Sequence, residues 1–166
     1  MRHLRSLLAD ARSSCSSSTE LSAFDVLDHE LEVLDVGEGL PSALTHPDFC
    51  APNVMLGPHG RAVLVDWTGA GMAPRITSLG LLLSSTGGSR DSIDAVLSGY
   101  ASAGVPVLEA DELDRLQDAI RGFGFILACW GVVYFGARPS HVAATLMMSR
   151  ASARSIADRV RETVGA

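Results

Sequence analysis

The chain contains no lysine. All thirteen of its cationic residues are arginines, scattered along 166 residues against nineteen acids, for a net charge of −6. No basic stripe is present that could neutralise a phosphate backbone, which argues against nucleic acid as a partner. Cysteine is scarce and poorly spaced for a framework. Cys15, Cys50 and Cys129 are odd in number and include no CxxC pair. That usage fits reduced thiols and a cytoplasmic location better than a disulfide scaffold. The five histidines show no ligand spacing with cysteines or carboxylates, so no structural zinc is expected. Long apolar runs are scarce as well. The stretch Gly122–Ala137 is uncharged for sixteen residues but holds four glycines, short of the roughly eighteen residues a membrane span needs. It reads as a buried core helix, with no membrane partner expected. The N-terminus (MRHLRSLLAD) has no long apolar segment and does not read as a signal peptide.

What is present describes an ordered domain. Hydrophobic residues make up 47% of the chain, enough for one substantial core and too many for extended disorder. The mild acidity suits cationic small molecules, and it equally serves solubility. Residues 1–18 read as an N-terminal helix and a Ser-rich linker, with 19–166 as the main lobe. Leu21, Phe24, Leu27, Leu31 and Leu34 recur at helical spacing, with Ser17 or Ser18 placed to cap and Gly37–Pro41 to stop the helix. Short apolar pieces at Val54–Leu56 and Ala62–Val65 flank a Gly-Pro-His-Gly turn, which predicts a hairpin. The remainder predicts helices over Ile76–Ser85, Ser89–Ala103, Ala110–Gly136 and Ser140–Val164, with Pro106 as an interruption. The expected class is mainly α with one small β-hairpin, an α+β arrangement.

The chemistry concentrates in T45-H-P-D-F-C-A-P-N53, a His-x-Asp-x4-Asn pattern, followed by Asp66 at the end of an apolar strand. Two carboxylates and a carboxamide can converge there on one metal–phosphate centre. Asp48 and Asn53 are also ordinary loop formers that bond their own backbone, and Asp66 is also a plausible turn cap. His46 is expected to hold the loop, Trp67 to pack in the core, and Arg75 to form a local ion pair. Gly69 and Gly71 read as turn glycines, and the acid-rich Glu109–Asp114 as a solvated helix start.

Residues Leu21–Leu83, and above all T45-H-P-D-F, Asn53 and D66-W-T-G-A-G-M-A-P-R75, resemble the aminoglycoside phosphotransferase/choline kinase-like family. The resemblance implies the C-terminal catalytic lobe of the protein-kinase-like fold. It implies ATP and Mg²⁺ as cofactors and a hydroxyl of a small molecule as acceptor. It assigns Asp48 to the substrate hydroxyl, and Asn53 and Asp66 to the magnesium ion and hence to ATP.

The chain departs from the family in four places. Pro47 stands where glycine or asparagine is usual, Met72-Ala73-Pro74 where many members have Gly-Asp-Pro, and Ser78 where an aspartate often begins the next helix. The fourth is larger: family members carry a β-rich N-terminal lobe of roughly a hundred residues with a phosphate-gripping lysine. Fewer than fifty residues precede the catalytic loop here, and they read as helix and linker. The expectation is therefore a lobe without its lid, either an ATP-dependent phosphotransferase or an inactive remnant that binds a ligand or partner. An uncovered lobe would expose apolar side chains near Val54, Leu56 and Val65, to be met by a second copy or a lid-supplying partner.

Overall fold

A computed structural model of the chain describes residues 2–34, 37–104 and 108–165; Pro106 lies outside the described residues. Six helices and four short strands follow in the order α1 Arg2–Ser13, α2 Ser18–Val33, β1 Ser42–Thr45, β2 Val54–Leu56, β3 Ala62–Leu64, β4 Gly71–Pro74, α3 Ile76–Ser84, α4 Arg90–Ser102, α5 Ala110–Phe135 and α6 Pro139–Val164. The chain is mainly helical with small antiparallel sheets. It divides into two compact units, one of residues 1–34 and 122–151, the other of 35–121 and 152–166.

The first unit is built from amphipathic helices. Leu8 of α1, Phe24 and Leu27 of α2, Cys129 of α5 and Leu146 of α6 meet in one buried cluster. Ser17 occupies the N-cap position of α2 with extended backbone, yet its hydroxyl makes no capping bond. The first-turn acid Glu20 instead caps α6. Its carboxylate accepts from the Ser140 backbone N–H and from the Ser140 hydroxyl, both at 2.8 Å. Those two bonds hold the Glu20 carboxyl below the ordinary carboxylate range. The apolar run of α5 is not a fully buried core helix. Phe125, Cys129 and Val132 are buried, while Leu127, Trp130 and Tyr134 on the opposite face are exposed. By length and composition α5 also meets the requirements of a membrane span.

The second unit holds a separate core in which Leu83 of α3, Ile93 of α4, Leu116 of α5 and Val160 of α6 are buried. Gly80 of α3 lets two helices touch. A Cβ placed there would lie 2.5 Å from the Ala119 carbonyl carbon. At the start of α5, Glu112 folds back to accept from the backbone N–H of Glu109 at 2.9 Å, the reciprocal half of a capping box. Its carboxylate also receives Arg75 Nε at 2.7 Å and Nη2 at 2.6 Å. Arg75 therefore forms an ion pair, but with a partner 37 positions away rather than the local one expected, and the acid-rich helix start is not wholly solvated. Glu112 is 0% exposed.

The single expected hairpin is one of two small sheets. β2 pairs with β3 as foreseen, Met55 opposite Val63 and Leu56 opposite Ala62, and it turns through Pro58–Gly60, where His59 has φ +65°. The other sheet pairs β1 with β4, Thr45 opposite Gly71 and Ser42 opposite Pro74. Gly71 is thus a strand residue, and only Gly69, with φ +81°, is the turn glycine. The apolar exposure near the hairpin is centred differently from expectation. Leu56 is 78% exposed together with Met55 and Val63, whereas Val54 and Val65 are half-buried.

Candidate active site

The site is assembled by a buried imidazole. His46 leaves β1 and is almost fully enclosed. Its Nδ1 accepts the backbone N–H of Asp48 at 3.1 Å, and its Nε2 lies 2.9 Å from the carbonyl oxygen of Val65. A nitrogen that accepts carries no proton, so the proton sits on Nε2 and is donated to Val65. One side chain thereby ties the His46–Asn53 loop to the strand end immediately before Asp66. The hydroxyl of Ser78 donates to the His46 carbonyl at 3.2 Å and so anchors the loop to α3.

Pro47 and Asp48 turn the chain back on itself. The Cys50 N–H donates to the Asp48 carbonyl, and the Asn53 N–H to the Cys50 carbonyl, each at 3.0 Å. This winding closes into the short 3₁₀ turn Ala51–Asn53 and aims the Asn53 side chain at Asp48. Its Nδ2 donates to the Asp48 carbonyl at 2.8 Å and to the Asp48 carboxylate Oδ2 at 2.9 Å. The other carboxylate oxygen, Oδ1, accepts from the Cys50 thiol at 3.2 Å. Burial, then the bond to Asp48, pushes the Cys50 thiol above its ordinary pKa, so it remains a donor at neutral pH. Cys50 was legible in the sequence only as a reduced thiol. Its place two residues after Asp48 was the available signal.

Asp66 reaches the same region through the backbone. The Val65 N–H donates to the Asn53 carbonyl at 2.9 Å, which extends the β2–β3 pairing by one residue and sets Asp66 beside the loop. Asp66 has φ +60°, a left-handed conformation that aspartate tolerates better than most residues. Its side chain is exposed, and among the described residues no hydrogen bond joins it to Asp48 or Asn53. The structure thus joins Asp48 and Asn53 side chain to side chain, and brings Asp66 near them by strand pairing alone. Among the described residues no three His, Cys, Asp or Glu side chains form a metal-binding group. Asn53 and Asp66 nevertheless supply oxygen donors, and with Nδ2 engaged on Asp48 the Asn53 Oδ1 is turned away from it. Two such oxygens suit Mg²⁺, which fills its remaining positions with phosphate oxygens and water.

Trp67 is not a core residue. It is 48% exposed, its indole N–H donates to the Leu64 carbonyl at 2.9 Å, and its ring meets His46 edge-on at 5.0 Å. It shields the imidazole from one side.

No curated protein and no solved structure matches the chain. The family model described as "Phosphotransferase enzyme family" matches residues 2–136, a span that contains the whole loop from His46 to Asp66. With that match covering most of its length, the chain belongs to the phosphotransferase enzyme family.

Proposed function

We propose that the chain is the C-terminal catalytic lobe of a protein-kinase-like fold. In this reading it transfers phosphate from Mg·ATP to a hydroxyl group of a small molecule. The observation that carries the reading is the orientation of Asn53. Its amide nitrogen is fixed on the Asp48 carboxylate, which leaves the amide oxygen for a cation. Asp48 then accepts the hydrogen bond of the acceptor hydroxyl and takes its proton as the oxygen attacks. Asn53 Nδ2 and the Cys50 thiol hold that carboxylate in one rotamer. Asn53 Oδ1 and the Asp66 carboxylate hold magnesium, which when bound neutralises charge on the transferring phosphates. The His46 bridge keeps the two halves of the site in register.

Enzymes of this kind also place a cation over the phosphates from the lid side, and no lysine of this sequence can do so. A lid bearing that cation completes the site in this reading, with Leu56, Met55 and Val63 as the apolar surface beneath it. The test is transfer of label from [γ-³²P]ATP to a panel of small alcohols with Mg²⁺ present. Asp48→Asn should lower the rate by about a hundredfold or more. Equal rates in both proteins would remove Asp48 from the chemistry.

A further inference from the structure

We infer that the acceptor site is the groove between α3, α4 and the catalytic loop, and that it takes an uncharged alcohol with an apolar body. The assignment rests on the phosphotransferase reading above and narrows it to a substrate class.

The groove has a volume of about 500 Å³, the size of a small-molecule site. Its walls are continuous with the catalytic machinery. Phe49, which lines it, follows Asp48 directly; Thr45, which lines it, precedes His46; and Ser78, also in the wall, holds the His46 carbonyl. The groove is thus walled by the residues on either side of His46 and Asp48 in the chain.

The lining decides the chemistry. Among the described residues no carboxylate lines the groove, and the charged side chain in its wall, Arg75, is engaged by Glu112 through two hydrogen bonds. A polyamine or quaternary ammonium substrate finds no anion there to replace its lost hydration. The rest of the wall is apolar or already committed. Phe49, Leu79, Leu82 and Val96 supply hydrocarbon, and the Thr45 hydroxyl donates to the Gly71 carbonyl at 3.1 Å. Tyr100 is the exception. Its phenol makes no hydrogen bond to any described residue, and burial pushes its pKa up, so it stays a neutral donor. One free donor set in hydrocarbon walls recognises a single oxygen on an apolar frame.

The test titrates the 166-residue chain with menthol and 1-decanol, and separately with choline and neamine. Two variants locate the binding. Gly99 lines the groove on α4, and a Cβ added there meets nothing within 4 Å, so Gly99→Leu starts its side chain in open space and projects hydrocarbon into the groove, and leucine's higher helix propensity should keep or raise the melting temperature. Tyr100→Phe removes only the free donor. The expected result is alcohol binding that weakens at least tenfold in Gly99→Leu and about three- to tenfold in Tyr100→Phe, with no choline or neamine binding that Gly99→Leu abolishes. Alcohol affinity untouched by Gly99→Leu, absence of alcohol binding, or cation binding lost in Gly99→Leu each overturns the assignment. A parallel Mg·ATP titration keeps the two readings apart. ATP binding without alcohol binding sinks the groove assignment alone. Alcohol binding without ATP binding leaves the groove an alcohol site and sinks the phosphotransferase reading.

Discussion

The Asn53 amide nitrogen lies 2.9 Å from the Asp48 carboxylate oxygen Oδ2 and 2.8 Å from the Asp48 backbone carbonyl. One side chain thus closes the loop and fixes the rotamer of the proposed base. Asn53→Ala removes both bonds and leaves a partly buried carboxylate and carbonyl without that donor, at a cost of about 1–3 kcal/mol. Asn53→Asp keeps an oxygen ligand but presses a second carboxylate against the first, so it should be the less stable of the two variants above neutral pH. Thermal melts of the three proteins check the order. An Asn53→Asp variant as stable as the parent would mean that the amide hydrogen bonds contribute little.

The Arg75–Glu112 pair supports the groove floor from a fully enclosed carboxylate. Glu112→Ala strands the mostly buried guanidinium and should destabilise the protein by about 3–5 kcal/mol. Replacing both residues, as Arg75→Met with Glu112→Leu, should recover much of the loss. Urea unfolding of the single and double variants measures the difference.

The same pair has a pH signature. The hydrogen bonds from Arg75 hold the Glu112 carboxyl below the ordinary carboxylate range. A depressed carboxyl stabilises the fold above its unfolded pKa, and that contribution is lost as pH falls through the folded value. The stability gap between parent and Glu112→Gln should therefore be widest near neutrality and should close below about pH 4. A gap that widens on acidification contradicts the assignment.

Gly80→Ala offers a clean packing test. Alanine is the better helix former by about 1 kcal/mol, yet its methyl carbon would sit 2.5 Å from one backbone atom of Ala119 and 2.6 Å from another. Overpacking against backbone should win, for a net loss of about 1–3 kcal/mol. Calorimetric unfolding decides the sign, and a stabilised variant would mean that α3 and α5 pack less closely than described.

The three thiols should react unequally. Cys129 is fully buried, and its pKa is pushed up to about 12 by that burial. It should stay unmodified by a disulfide reagent at neutral pH until the protein unfolds, while the half-buried Cys15 and Cys50 react first. Mass spectrometry of the labelled native protein reads this directly.

Much of the fold was legible because it is local. Ser89 caps α4, its hydroxyl accepting from the Ser92 N–H at 3.5 Å, and the last four helices begin and end within a residue or two of their sequence signals. The β2–β3 hairpin was legible from its turn. The β1–β4 pairing was not, because Thr45 and Gly71 are 26 positions apart and neither strand is long enough to announce itself by alternation. Distance in sequence hid the burial of Glu112 in the same way, since Arg75 lies 37 positions away. Apolar composition misled twice. Trp67 shields His46 from the surface, and α5 buries only one side of its uncharged run. In the site, the five-residue spacing of Asp48 and Asn53 was enough to foresee that they could meet. The Cys50 bond and the free phenol of Tyr100 depend on tertiary placement, which spacing does not carry.

Calorimetric titration of Mg·ATP into the chain decides whether Asn53 and Asp66 form a magnesium–nucleotide site. The informative variant is Asp66→Asn, because asparagine tolerates the left-handed backbone at this position (φ +60°) and removes only the charge. Saturable binding that requires Mg²⁺ and weakens at least tenfold in Asp66→Asn is expected. Binding absent from the parent, or equal in both proteins, would contradict it.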